Sequence, residues 1–170
     1  GFCKAGDKVK LARAALHFWE EPCISGEEGS GTVFFSGCPL QCVFCQNHQI
    51  SAECYGKEIS IKRLAEIFLE LQNINLVTGG HFVPQIIQAL DMVRRDLKIP
   101  VVYNSSGYET VETLRMLKGY VDIYLPDIKY FSPERSKRYS HAPDYPAVVK
   151  AALSEMVRQT GDAQFSENGM

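Results

Sequence analysis

Hydrophobic and polar positions follow two different periods along the chain. In Ser60–Gln72 the apolar residues recur every three or four positions with charged residues opposite, which predicts an amphipathic helix. Short continuous apolar runs that end in glycine or polar residues predict buried strands instead. The predicted helices are Lys10–Glu20, Ser60–Gln72, Val83–Arg95, Glu109–Gly119 and Tyr145–Gly161, and the predicted strands are Gly31–Phe35, Ile74–Gly80, Ile99–Gly107 and Val121–Lys129.

The order of these elements predicts an α/β fold. Strands that alternate with helices form right-handed βαβ units around a parallel sheet. Ligand-binding residues of such sheets gather at the carboxyl ends of the strands. Here the strands end in "SGC", "TGGH", "NSSG" and "PDIK", so small, polar or reactive residues begin where the apolar residues stop. We predict a core at 31–161, preceded by a helical extension with cysteines at 1–30 and followed by a polar tail at 162–170.

Composition narrows the class of protein. The 170 residues are 45% hydrophobic and carry a formal net charge of -2, which suits one domain with a sizeable core. That charge does not favour nucleic acid or an anionic membrane as the main partner. We find no bilayer-spanning apolar run and no secretory pattern at the start, so the expected compartment is the cytoplasm. The chain begins with Gly rather than Met, and we expect this residue to be internal to a longer protein.

Three cysteines lie within eight positions, directly after the first predicted strand: Cys38, Cys42 and Cys45. Thiolates are soft ligands that suit iron–sulfur clusters or zinc. A four-iron cluster normally takes four cysteines, so three of them would leave one iron open. His48 follows three residues after Cys45, and the alternative is a Cys3His zinc site. Disulfides are disfavoured, because secreted disulfide scaffolds are short and poor in long helices.

The cysteine spacing resembles the signature loop of radical S-adenosylmethionine (SAM) enzymes, Cys-x3-Cys-x-aromatic-Cys, in which Phe44 supplies the aromatic residue. The segments "GTVFFSGCPLQCVFCQN", "NINLVT", "VVYNSSGYE" and "DIYLPDIKYF" together resemble pyruvate formate-lyase activating enzyme-like proteins. The resemblance implies a partial (β/α) barrel, incomplete here with about four parallel strands. It also implies a [4Fe-4S] cluster on Cys38, Cys42 and Cys45, with no catalytic side chain beyond it. SAM would bind the open iron, and its reductive cleavage would give a 5′-deoxyadenosyl radical.

The same resemblance implies contacts to SAM and two kinds of partner. Gly79 and Gly80 would cradle the SAM amino group, although His81 stands where the family often has Glu. The implied partners are an electron donor such as flavodoxin or ferredoxin and a glycyl-radical protein. The full set of implied SAM contacts is Phe44, Gly79, Gly80, Asn104, Ser106, Asp127 and Lys129.

Each of these contacts has a structural alternative. Gly79 and Gly80 could simply turn the chain into the next helix. Asn104, Ser105 and Ser106 could cap the helix that begins near Glu109. Asp127 and Lys129 could form a solvated pair at a strand end. For the whole chain, the alternatives are a non-catalytic zinc module and an inactive, truncated radical SAM fragment whose last strand leaves an open sheet edge.

Overall fold

The computed structural model describes residues 4–18, 21–27, 29–71 and 73–165. Within these ranges the chain forms a six-stranded sheet in the order β3-β1-β2-β4-β5-β6. Its strands are β1 (Lys10–His17), β2 (Ser30–Phe35), β3 (Lys57–Glu58), β4 (Ile74–Val77), β5 (Val101–Ser105) and β6 (Ile123–Pro126). The helices are α1 (Pro22–Ser25), α2 (His48–Ser51), α3 (Ile61–Glu70), α4 (Val83–Val93), α5 (Val111–Met116), α6 (Pro133–Ser140) and α7 (Tyr145–Thr160).

The prediction of an α/β fold with about four parallel strands is confirmed. Strands β2, β4, β5 and β6 are neighbours and run parallel. The register pairs Val77 of β4 with Asn104 of β5, and Ser105 of β5 with Pro126 of β6. The loops that follow these strands therefore leave the sheet at the same edge. This architecture is consistent with the partial (β/α) barrel that the resemblance implies.

The predicted helix at Lys10–Glu20 is wrong. Its first eight residues form β1, which pairs antiparallel with β2, and its last two residues lie outside the described residues. Alanine, leucine and arginine favour helices intrinsically, but tertiary pairing routinely overrides such a preference. In β1 the pairing with β2 runs from Leu11 opposite Phe35 to His17 opposite Ser30, and Leu11 is buried. The segment before the cysteines thus extends the sheet.

Two apolar clusters hold the sheet and the cysteine loop. The larger one fills the space between the sheet and helices α3 and α4, with the rings of Phe35, Phe68 and Phe82 fully buried. The second contains Leu40 and Tyr145, and the half-buried Cys38 and Cys42 pack against it. The residues around the cysteines are therefore attached to apolar material contributed by α7. No helix in the described ranges is long and apolar enough to cross a membrane.

Candidate functional site

The cysteine loop is fixed by backbone hydrogen bonds to three different parts of the chain. At its start the N–H of Ser36 donates to the carbonyl of Lys10 in β1 at 2.9 Å. The N–H of Gly37 donates to the carbonyl of Ile50 in α2, also at 2.9 Å. Further along, the N–H of Val43 donates to the carbonyl of Tyr139 in α6 at 3.0 Å. Gly37 has φ 91°, a left-handed conformation that glycine adopts without strain, so the chain can turn sharply out of β2.

All three cysteines of the loop are half-buried free thiols. Burial raises the pKa of the Cys38 thiol, backbone hydrogen bonds from Gln41 and Leu40 lower it, and the charges of Cys42 and Cys45 raise it. The three sulfur atoms are thus close enough to influence one another electrostatically.

Two of the sulfur atoms also accept a hydrogen bond from a serine hydroxyl. Ser140 donates to Cys42 Sγ at 2.9 Å, and Ser51 donates to Cys45 Sγ at 3.3 Å. Hydrogen bonds of this kind stabilise thiolates, the form of cysteine that ligates metals. The donors around the loop therefore suit metal ligation.

The spacing of the thiols does not match a preformed site for one ion. Among the described residues, no three His, Cys, Asp or Glu side chains form a group that could hold a metal ion as they stand. A single zinc ion binds each sulfur at about 2.3 Å and would draw the sulfurs to within about 4 Å of one another. A [4Fe-4S] cluster takes each cysteine on a different iron, so its ligands stand further apart. The two kinds of site therefore require different separations of the three sulfur atoms.

His48 lies away from any such ligand group. Its Nε2 is 3.6 Å from Glu53 Oε1, and its side chain is 62% exposed. Solvent and a carboxylate surround this imidazole, as expected of a surface histidine. The Cys3His arrangement that the sequence left open is not formed within the described residues.

A cavity of about 180 Å³ opens beside the cysteine loop, where the loops after β2, β4 and β5 meet. Of the implied SAM contacts, Gly80 and Ser106 line this cavity, whereas Gly79 and Asn104 do not. Thr78, at the end of β4, also lines it and has φ 58°, a strained conformation for a β-branched residue. Such strain is often found at ligand sites. The other lining residues are Pro39, His81, Ser105, Tyr108, Glu109, Thr110 and Thr113.

The two glycines after β4 leave room for neighbouring side chains, and their backbone conformation does not itself call for glycine. Neither has a positive φ. A Cβ at Gly79 would lie 2.8 Å from Ile86 Cδ1, and a Cβ at Gly80 would lie 2.7 Å from Glu109 Oε2. The pair does lead into α4 through a 3-10 turn at Gly80–Phe82, as the turn interpretation expects. In addition, the lack of a side chain at Gly80 allows the backbone to lie close to the Glu109 carboxylate.

Glu109 is the residue of this cavity that the sequence analysis missed. Burial raises the pKa of its carboxyl to about 7, although hydrogen bonds from Tyr103 and Ser105 lower it. The Tyr103 hydroxyl donates to Oε1 at 3.2 Å. The "GGH" segment and Glu109 are 28 positions apart, so only the parallel register of β4 and β5 brings them together. An acidic residue directly after the predicted strand end "NSSGY" was the available signal.

His81 complements Glu109 on the same cavity. Burial lowers the pKa of its imidazole, and a hydrogen bond to the backbone of Gly37 opposes this shift. Its Nε2 is buried and has no hydrogen-bond partner among the described residues. A neutral imidazole that donates to Gly37 through one nitrogen carries a lone pair on the other. His81 therefore adds an imidazole that favours its neutral form to the lining that also contains Glu109.

The structural alternative for Asn104, Ser105 and Ser106, that they cap the next helix, is not realised. Thr110 caps α5, because its Oγ1 accepts a hydrogen bond from the Thr113 N–H at 3.1 Å. Ser105 Oγ instead accepts from the Gly107 N–H at 3.1 Å, inside a turn. These residues are therefore held by the loop and not by the helix terminus.

A second cavity of about 360 Å³ lies next to the loop after β6 and to Phe44 of the cysteine loop. The Tyr145 hydroxyl donates to the carbonyl of Ser106 at 2.6 Å and accepts from the Lys129 N–H at 2.8 Å, so it joins the two loops. Phe44 and Lys129 line this cavity, and the Lys129 ammonium pairs with the exposed Asp127. These two residues therefore form the solvated ion pair that the sequence left open as an alternative. The remaining lining residues are Tyr130, Phe131, Ser132, Arg135 and Tyr139.

Comparison with known proteins identifies the family. The model of the radical SAM superfamily matches residues 32–159, most of the chain, so the chain belongs to this superfamily. Members of this superfamily generally use a [4Fe-4S] cluster and SAM.

The relative found among curated proteins is an uncharacterized protein of Methanocaldococcus jannaschii, 36% identical over 162 residues. The alignment covers 88% of this chain and 46% of the relative, so the chain spans less than half of that protein's length. No solved structure matches the chain.

The buried carboxyl of Glu109 predicts a pH dependence of stability. Because its pKa is about 7 in the folded chain and near 4.5 when unfolded, the unfolded chain loses this proton first as pH rises. The contribution of Glu109 to stability therefore falls between about pH 4.5 and pH 7. In urea unfolding, we expect wild type to lose about 1–2 kcal/mol relative to Glu109→Gln between pH 5 and pH 8. Glu112→Gln, at an exposed carboxyl in α5, is the control and should follow wild type. Parallel pH curves for wild type and Glu109→Gln would contradict the assignment.

Proposed function

We propose that the chain is a radical SAM enzyme that holds a [4Fe-4S] cluster through Cys38, Cys42 and Cys45 and cleaves SAM reductively. The observation that supports this most directly is the position of three half-buried thiols at the carboxyl ends of the parallel strands, beside two cavities. When bound, the cluster and SAM supply an electron and a 5′-deoxyadenosyl radical. The chain's own residues bind and orient the cofactor and exclude water around it.

The first cavity suits the amino group of SAM. An ammonium group donates three hydrogen bonds, and the Glu109 carboxylate in the lining of this cavity is an acceptor for them. A carboxylate at the position of His81 is therefore unnecessary, because Glu109 reaches Gly80 from the following loop. A bound cation also favours ionised Glu109, which the empty cavity disfavours.

The second cavity suits the rest of the cofactor. The ring of Phe44 makes edge contacts with Tyr130 and Tyr139, with centroids 6.2 Å and 6.5 Å apart, and so forms part of an aromatic wall. Lys129 would exchange Asp127 for the SAM carboxylate, and the cost is small because Asp127 is exposed to solvent. Gly79, Asn104 and Ser106 remain predicted SAM contacts, of which Ser106 reaches the first cavity.

The proposed partner protein, electron donor and location follow from the resemblance of the chain to a known family. The segments around the cysteines and the last three parallel strands are similar to pyruvate formate-lyase activating enzyme-like proteins. On this basis we propose an activating function on a glycyl-radical partner protein, an electron donor such as flavodoxin or ferredoxin, and a cytoplasmic location. Because the chain spans only part of its relative, these statements concern the activity of the whole protein.

The proposal predicts a measurable product. After anaerobic reconstitution with iron and sulfide, the reduced protein should convert SAM to 5′-deoxyadenosine, which chromatography quantifies. Cys38→Ala, Cys42→Ala and Cys45→Ala should each lose the cluster absorption and at least about 99% of the product, because each removes one iron ligand. Cys23→Ala, in α1, is the matched control and should retain both. A colourless wild-type protein that retains zinc would contradict the proposal.

The acceptor role of Glu109 is tested by binding rather than by turnover. Loss of a hydrogen bond to a charged group costs about 1.5–3 kcal/mol. Calorimetric titration of the reconstituted protein with SAM should therefore show about ten- to a hundredfold weaker binding for Glu109→Gln. Glu112→Gln should bind SAM as wild type does. Equal affinity for Glu109→Gln and wild type would remove Glu109 from the binding site.

A further inference from the structure

The hydroxyl of Ser140 links α6 to the cysteine loop across 98 positions of sequence. Ser140 is the last residue of α6 and is 1% exposed, and its Oγ lies 2.9 Å from Cys42 Sγ. The separation of these two atoms is well within the range of a hydrogen bond to sulfur. The sulfur of Cys42 thus has a buried donor that water cannot replace.

A second hydroxyl extends this contact. The Tyr130 hydroxyl lies 2.6 Å from Ser140 Oγ, and Tyr130 is itself buried. A ligating thiolate only accepts hydrogen bonds, so the single hydroxyl proton of Ser140 must point to Cys42. The proton between the two hydroxyls then belongs to Tyr130. The result is a directed chain from Tyr130 through Ser140 to Cys42 Sγ, in which each bond polarises the next.

The chain is held rigidly by its surroundings. Tyr130 makes an edge contact with Tyr145, with ring centroids 5.4 Å apart. His141 caps the C-terminus of α6. Its left-handed conformation allows the Ala142 N–H to donate back to the carbonyl of Ser136 at 3.2 Å. The hydrogen bond from the Val43 N–H to the Tyr139 carbonyl fastens the same helix end to the cysteine loop. Ser140 is therefore positioned by the fold and not by a mobile surface loop.

The three sulfur atoms differ in their donors. Cys38 receives backbone hydrogen bonds from Leu40 and Gln41. Cys45 accepts from Ser51 at the longer distance of 3.3 Å. Among the described contacts to the three cysteines, only the one to Cys42 continues into a second buried hydroxyl.

We propose that the Tyr130–Ser140 hydroxyl chain raises the reduction potential of the cluster by stabilising negative charge on the sulfur of Cys42. The inference rests on the proposed function, because it requires the cluster on Cys38, Cys42 and Cys45. One-electron reduction adds negative charge that the cluster shares with its sulfur ligands. Hydrogen bonds to those sulfurs favour the reduced form and are a known determinant of cluster potential. Ser140 and Tyr130 are positioning residues that act through Cys42.

The test is a redox titration of the anaerobically reconstituted protein, followed by the electron paramagnetic resonance (EPR) signal of the reduced cluster. A net hydrogen bond contributes about 0.5–1.5 kcal/mol. At a fixed solution potential, Ser140→Ala should thus shift the ratio of reduced to oxidised cluster about three- to tenfold toward the oxidised form. Tyr130→Phe should shift it in the same direction by less. The double variant should shift it at least as far as Ser140→Ala does, because the Tyr130 hydroxyl also lies within hydrogen-bond reach of Cys42.

Matched controls separate this effect from a loss of packing. Tyr120→Phe removes a tyrosine hydroxyl that donates to Asp91 in α4, and Ser154→Ala removes a serine hydroxyl that bonds within α7. Both should titrate as wild type does. Unchanged potentials in Ser140→Ala and Tyr130→Phe, with normal iron content, would overturn the inference and leave the proposed function intact. A wild-type chain that assembles no cluster would instead refute the proposed function.

Discussion

The hydrogen bonds that tie the cysteine loop to β1, α2 and α6 are the constraint on which the site depends. Ordering one backbone residue costs about 1–2 kcal/mol of conformational free energy. A loose segment of eight residues would have to meet that cost when it binds a ligand. Here Ser36, Gly37 and Val43 are already fixed by the fold, and Leu40 is fully buried beneath the loop. These contacts hold the backbone that carries the three thiols.

The electrostatics of the first cavity follow the same logic. A permanent charge in a poorly solvated cavity is costly, and proteins avoid it by shifting pKa values. Burial raises the pKa of Glu109 to about 7 and lowers that of His81, so both groups favour their neutral forms. A cationic ligand would then bring the charge that makes ionisation of Glu109 favourable. Binding and protonation are coupled at this position without a lasting cost to the fold.

Strands and helices could be predicted from the sequence where their own residues carry a clear apolar pattern. The parallel strands and the helices α3, α4 and α7 follow from apolar periodicity. Sequence alone failed where tertiary pairing decides the outcome, as for β1, whose residues favour helices but pair with β2. Helix α6 has almost no apolar period, although Ser132 before Pro133 and Glu134 forms a recognisable helix start.

The site divides in the same way. The spacing of Cys38, Cys42 and Cys45 is visible within eight positions. The partners of these residues are distant in sequence: Glu109 reaches Gly80 across 29 positions, and Ser140 reaches Cys42 across 98. No local pattern reports such contacts, because only the register of the sheet and the packing of α6 create them. The contacts of Glu109 and Ser140 could be found only from the three-dimensional structure. The three cysteines proposed to hold the metal could be found from the sequence alone.

The central claim is that three cysteines hold a cluster whose remaining iron is open to SAM. The most direct test is the EPR spectrum of the reduced, reconstituted protein, recorded with and without SAM at equal cluster concentration. We expect SAM to change the spectrum, because a new ligand on one iron alters the electronic environment of the whole cluster. A spectrum that does not change at saturating SAM would contradict the open iron and, with it, the assignment of this site.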